Sequence, residues 1–416
     1  MQRADVIVLG AGVVGVSAAW ELLKRGRSVV LVDRREPGEE TSFGNSGVIE
    51  RDAFVPIGFP PLHRMPRYAL GLAPELNFHW RFLPRIVPWL MALWHESNPA
   101  AVARYAAAMN PLLAEAAPAH RRFATVSGAS RYFRETGWIR LYRTDAGFRR
   151  ESLLRHMCRQ YQVRLEVMSA DETVAVEPFL GRRFTAATLF PDTISVSSPG
   201  GVTKAYASGF RAEGGRFVRG DARSLRQADG AWSVETAEGA FAATDAVVAL
   251  GPWSPDAIAP LGYRLPLAVK RGYHRHFRAI GNATLSRPVV DVESGFLMTP
   301  MEAGMRITTG IEFADRDAPP TPVQIARVLP LARQLFPLGE PVGDIWMGRR
   351  PSFPDALPVI CPAHHHKGLW FDFGHGHLGF TLGPPSARLL ADLMTKARPF
   401  ADPAPFDAAR FDRAGH

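Results

Sequence analysis

An α/β fold, with a Rossmann-like nucleotide-binding domain and a second α+β domain, is predicted by three observations. A buried strand, Val6-Ile7-Val8-Leu9, runs directly into Gly10-Ala11-Gly12-Val13-Val14-Gly15, a turn with dinucleotide-binding spacing. A helical stretch from Val16 to Lys24 then leads through Gly26 to a second β-branched run, Ser28 to Val32, which closes on Asp33. Finally, 416 residues that are 46% hydrophobic suffice for two domains with separate cores.

Each glycine of the turn has a distinct task. Gly10 permits the tight turn, Gly12 lets a pyrophosphate approach bare backbone, and Gly15 lets the helix lie close to the strand. The free N–H groups at the helix start face phosphate. Asp33, 18 residues after Gly15, stands where a carboxylate accepts from ribose hydroxyls, which disfavours a 2′-phosphorylated nucleotide.

After Asp33 the chain forms a polar loop, Arg34-Arg35-Glu36-Pro37-Gly38-Glu39-Glu40-Thr41-Ser42-Phe43-Gly44-Asn45-Ser46-Gly47, where nicotinamide dehydrogenases usually carry another helix and strand. Here the sequence resembles the FAD-dependent D-amino acid oxidase and glycine oxidase superfamily, most closely its D-amino acid dehydrogenase branch. Glu40-Thr41-Ser42-Phe43-Gly44-Asn45-Ser46-Gly47 looks like that branch's flavin loop. The resemblance covers Ala4 to about Arg398 and is loose between Arg51 and Thr144. It implies a FAD-binding domain of glutathione-reductase type beside a substrate domain with a large mixed sheet. The expected division assigns 1–60, 140–262 and 340–400 to the FAD domain, 61–139 and 263–339 to the substrate domain, and 401–416 to a C-terminal tail.

Taken in order, Arg51 to Arg67 reads as an ordered loop, and Asn77 to Glu96 as a helix from the spacing of Phe82, Leu83, Ile86, Val87, Leu90, Leu93 and Trp94. Pro84 fits its first turn and Pro88 would kink it. That helix either packs on the substrate domain or meets a membrane or quinone, because aromatics and Arg interleave there. Pro99 to Ala124 and Gly147 to Arg159 read as helices, Arg131 to Tyr142 and Phe184 to Phe190 as strands. Pro199 to Arg211 is a helix capped by Gly214-Gly215, followed by a strand at Arg216 to Val218. Trp232 to Glu235 and Gly239 to Phe241 read as a hairpin, and Ala246 to Leu250 as a separate buried strand. Leu267 to Phe277 alternates as a strand, Asp291 to Pro300 and Met305 to Ile311 follow suit, and Val323 to Phe336 is helical. Leu369 to Asp372 is a strand, the glycine-dense turn Gly374-His375-Gly376-His377-Leu378-Gly379-Phe380-Thr381-Leu382-Gly383 follows, and Ser386 to Lys396 is the last helix. Leu382-Gly383-Pro384-Pro385 is stiffer than the family's small-residue run.

The resemblance implies FAD contacts at Gly10, Ala11, Gly12, Val13, Val14 and Gly15, at Asp33, Arg34 and Arg35, and at Thr41, Ser42, Asn45, Ser46, Gly47 and Val48. It adds Arg223 by the adenine, Ala249, Gly251 and Trp253 by the pyrophosphate, and His375, His377, Leu378, Gly379, Phe380 and Thr381 at the N1/O2 side of the ring. With no His in the Thr41 to Gly47 loop, and Arg at 349 and 350, the FAD is expected to be noncovalent. Arg350, in Gly-x-Arg-Pro, matches the family's carboxylate-binding Arg, and its planar fork suits both oxygens of an amino-acid substrate. Tyr273 is a candidate donor to that carboxylate and His274 a candidate acceptor of the ammonium proton.

Composition excludes other classes. Net charge is +9, yet the basic residues are scattered and only five of 49 are Lys, which argues against nucleic-acid binding. Cys158 and Cys361 lack partner motifs, His364-His365-His366 reads as a surface turn, and no metal is expected. With no secretion signal and no apolar run of roughly 18 residues, a cytoplasmic location is expected, with contact to the inner membrane face left open. The expected activity is FAD-dependent oxidative deamination of a D-amino or N-alkyl amino acid by hydride transfer from Cα to flavin N5, giving an imino acid, then a keto acid and ammonia. Oxygen and a quinone both stand as acceptors. The alternative is a flavoprotein subunit of a multi-chain amine dehydrogenase that relays electrons to a partner.

Overall fold

Runs of β-branched residues build the centre of the first sheet in the computed structural model, which describes residues 2–60, 65–71, 73–228 and 230–414. Gln2–Leu9 lies between Val29–Asp33 and Gly239–Val248, all parallel, with Arg216–Arg219 parallel on the outer side of Val29–Asp33. Val6, Ile7, Val8 and Leu9 are fully buried because helices cover both faces of a parallel sheet. The Gly239–Val248 strand then divides: its first half pairs antiparallel with Ala231–Thr236, its last three residues parallel with Leu369–Phe373. The expected hairpin arm and separate buried strand are thus one ten-residue strand, since neither half alone covers both neighbours.

The second sheet is mixed and wraps around Ala268–Ala279, which pairs antiparallel with Leu338–Ser352 on one edge, and with Gly304–Thr308 and Ile311–Phe313 on the other. It continues through Phe296–Met301 and Val289–Asp291 to Trp138–Tyr142, Ala186–Phe190 and Glu166–Ser169. Three strands from within or across 140–262, and Leu338–Ser352 beyond them, join the second sheet, because their apolar faces share the core of Val328, Leu335 and Phe336.

Local predictions differ from the structure in several places, among them the expected helix at Asn77 to Glu96, which begins only at Leu83 after a strand at Leu76–Phe78. Pro99 opens a helix that runs to Ser127, and the expected helix at Gly147 to Arg159 is two, Asp145–Arg150 and Ser152–Gln160. Within the expected loop Arg51 to Arg67, Met65 begins a short helix and residues 61–64 lie outside the described residues. The expected tail makes short 3-10 turns that bury Phe406, with 415–416 outside the described residues. The last helix starts at Gly379, not Ser386, and carries Pro384 and Pro385 inside it. Proline at 384 leaves the Phe380 carbonyl without its helical donor. His120 Nε2 donates to that carbonyl at 2.8 Å from the Pro99–Ser127 helix, so the helix persists.

No helix among the described residues is long and apolar enough to cross a membrane.

Candidate functional site

The glycine turn is held by close packing. Gly10 has φ +107°, and a Cβ there would lie 2.4 Å from the Ala249 carbonyl oxygen; one on Gly15 would lie 1.8 Å from the Gly10 oxygen. Ala249 N in turn donates to Leu9 O at 2.8 Å, bringing Ala249 and Leu250 against the turn. Ala11 N donates to Asp33 Oδ2 at 2.6 Å and Val13 N to Ser42 Oγ at 2.9 Å. Burial raises the Asp33 carboxyl above its ordinary range, and the Ala11 and Arg35 N–H groups oppose the shift.

The flavin-like loop is tied to both sheets. Thr41 Oγ1 donates to Arg349 O at 3.0 Å, Gly47 N to Asn45 Oδ1 at 2.8 Å, and Arg306 Nη1 to the carbonyls of Phe43 and Asn45. Val48 pairs with Ser195, and Thr381 Oγ1 accepts from Glu50 N at 3.1 Å, which joins the loop to the last helix. At the opposite end, Gly374 and Gly376 take positive φ, and His375 Nε2 lies 3.3 Å from Asp372 Oδ1.

A single cleft of about 1770 Å³ connects these parts, well above the roughly 300–1,000 Å³ of a drug-sized pocket. It is lined by Gly10, Gly12, Val13, Val14, Asp33 and Arg34, by Thr41, Ser42, Asn45 and Ser46, by Arg223, Ala249, Gly251 and Trp253, and by His375, His377, Gly379 and Phe380. Ala11, Gly15, Arg35, Gly47, Val48, Leu378 and Thr381 are not among the lining residues. Arg34 lies over the Trp253 ring at 4.3 Å, while Arg35 and Arg223 are exposed, Arg223 paired with Asp221 at 2.8 Å. The Cβ-free cradle at the Gly10 turn and the volume of the cleft fit a flavin dinucleotide.

Arg350 also lines the cleft. Its Nη1 donates to Gly310 O at 2.8 Å and its Nη2 to Thr309 O at 3.2 Å; a Cβ on Gly272 would lie 2.5 Å from Nη2. Burial lowers its pKa to about 10. Of the two other expected catalytic groups, Tyr273 lines the cleft, with its hydroxyl engaged in a buried network with Glu312 and Arg271. His274, 2% exposed, stacks on Trp346 at 5.0 Å and does not line the cleft. Burial, then Arg306, pushes its pKa far down, so it is a poor proton acceptor.

Sequence reading missed three groups that do line the cleft: Lys270, Glu50 and Asp52. Burial, then the Arg350 charge, lowers Lys270 to about 8. Glu50 and Asp52 are both pushed up, chiefly by burial. His377 is lowered to about 3 by burial and then by Arg350, Lys270 and Arg140. The missed signal is parity: Lys270, Gly272 and His274 alternate on one face of their strand, and a small residue between two polar ones leaves room for a partner's side chain.

Among described residues, no group of three or more His, Cys, Asp or Glu could hold a metal ion, and both cysteines are buried and free.

The family described as FAD dependent oxidoreductase (DAO) matches residues 5–393. A D-amino-acid oxidase of Bradyrhizobium diazoefficiens is 30% identical, over 98% of this chain and 98% of its own length. A D-amino acid dehydrogenase of Cereibacter sphaeroides is 31% identical over 98% and 95%. Among solved structures, glycine oxidase from Geobacillus kaustophilus superposes with a TM-score of 0.77 at 20% identity, covering 99% of both chains.

Proposed function

The chain belongs to the DAO family of FAD-dependent oxidoreductases, and from that premise we propose that it oxidises a D-amino acid, or an N-alkyl relative, to the imino acid. The observation that carries this reading is the continuity of the cleft: one space runs from the Gly10 turn to the guanidinium of Arg350. Bound FAD supplies the two-electron acceptor for the Cα hydride. The protein's own task is orientation.

Arg350 anchors the substrate carboxylate in this reading. Its guanidinium is fixed by two backbone carbonyls, so little freedom remains to be lost when an anion binds. Burial around it excludes water and strengthens the contact. The cofactor-lining residues of the two glycine turns, with Ser42 and Asn45 between them, hold the dinucleotide noncovalently; acid precipitation should leave a colourless pellet. Anaerobic addition of a panel of D- and N-alkyl amino acids should bleach the flavin band. A panel that leaves the band untouched refutes the substrate assignment.

A quinone is the acceptor that the surface favours. Leu83, Leu90 and Leu93 of the Leu83–His95 helix line the cleft, while its outer side exposes Val87, Met91 at 58% and Trp94 at 55%, beside Arg85. Such a helix can rest on a membrane surface and admit a lipid-soluble acceptor. Reoxidation of the reduced protein by a short-chain ubiquinone should outpace reoxidation in air-saturated buffer; the opposite order makes it an oxidase. Activity that appears only with a second chain on gel filtration would support the relay-subunit alternative.

A further inference from the structure

Two adjacent rungs of one antiparallel ladder carry four cations, and they are treated differently. Arg271 faces Arg349 across the ladder, and Lys270 faces Arg350 on the next rung. Arg271 is paired with Glu312 at 2.8 Å, and Arg349 stands 3.9 Å from Asp317. Lys270 and Arg350, on the other face, have no carboxylate within ion-pair distance among the described residues.

Like charges directly opposite on paired strands repel, and burying a cation without a counter-charge is costly. Lys270 is only 6% exposed, and its ammonium lies 5.0 Å from the centre of the Trp89 ring. Both side chains line the same cleft. A fold that keeps such a pair unneutralised leaves a place for an anion between them.

We propose that Lys270 is the second cation of the substrate-carboxylate site, so that the carboxylate lies between its ammonium and the Arg350 guanidinium. This rests on the amino-acid oxidation proposed above and adds to it a positioning residue. Arg350 provides the directional, planar contact, and Lys270 a compact charge from the neighbouring strand. The groups that face Lys270 are Arg350 from the Leu338–Ser352 strand, Trp89 from the Leu83–His95 helix and His377 from the glycine turn; Glu50 and Asp52 lie by Arg140. None of these supplies a fixed negative partner. Because burial and Arg350 lower Lys270 to about 8, its charge, and with it anion affinity, is present at pH 7 and is lost as pH rises past that value.

The test is titration of the purified holoenzyme with benzoate, a carboxylate that has no amine to oxidise, followed by flavin absorbance and Trp fluorescence. Lys270→Met should weaken benzoate binding by about tenfold or more at pH 7 and remove the alkaline loss near pH 8, with no drop in Tm, because an unpaired buried charge is removed. Lys270→Arg should restore most of the affinity and move the alkaline loss to higher pH. Unchanged affinity and an unchanged pH profile in Lys270→Met overturn the inference. A wild-type flavin that no amino acid bleaches, but whose benzoate affinity depends on Lys270, refutes the proposed substrate and supports the anion site.

Discussion

The Tyr273 hydroxyl donates to Glu312 Oε2 at 2.6 Å, inside a network in which Arg271 Nε is 2.8 Å from the same carboxylate oxygen and Asn77 Nδ2 donates to the other. Arg271 and Glu312 are both fully buried. Breaking such a pair from one side leaves an uncompensated buried charge, whereas removing only the tyrosine hydroxyl leaves the pair intact.

Tyr273→Phe should therefore lower stability by about 1–3 kcal/mol and leave substrate affinity unchanged. Glu312→Gln should cost more, about 3–5 kcal/mol. Thermal melts beside an anaerobic substrate titration separate the two effects. A Tyr273→Phe protein with native Tm and weakened substrate binding would restore Tyr273 to the site.

Arg350→Ala should weaken substrate binding by about 2–5 kcal/mol, seen as a raised substrate concentration for half-maximal flavin bleaching. Arg350→Lys should recover part of this, since an ammonium keeps the charge and loses the fork. Unchanged apparent affinity in the alanine variant removes Arg350 from its proposed role.

Glu50 is raised from 4.5 to about 8 by burial first and by Asp52 second. An acid whose pKa is higher in the folded than in the unfolded state favours folding while protonated. Its contribution is complete below pH 4.5, declines as pH climbs, and is lost above pH 8. Glu50→Gln should melt close to wild type at pH 5 and above it at pH 9. Parallel melting curves across that range would show that Glu50 ionises freely in the fold.

His120→Ala should lower Tm and loosen FAD together. It strips the donor from the Phe380 carbonyl, which Pro384 cannot serve, at about 1–3 kcal/mol for the orphaned acceptor plus a cavity term. Burial keeps His120 neutral with a pKa of about 4, so this bond should hold from pH 5 to 8. FAD retention on gel filtration is the measurement, and a variant that keeps its flavin and its Tm would show that the helix needs no outside donor.

What the sequence determined by itself is local. The Gly10 to Gly15 turn, the strands on either side of it and the Pro99 helix follow from glycine conformation, β-branched runs and 3.6-residue spacing, all set within a few residues. The polar loop and the Arg350 motif were legible only through their resemblance to the D-amino acid oxidase superfamily. Tertiary structure alone decided which side chains meet. Alternation places Lys270 and Tyr273 on opposite faces, but only the pairing of Ala268–Ala279 with Leu338–Ser352 sets Lys270 beside Arg350 and turns Tyr273 toward Glu312. The start of the last helix likewise depends on His120, 260 positions from the carbonyl it satisfies. Register and burial belong to contacts between distant segments, and no periodicity within one segment carries them.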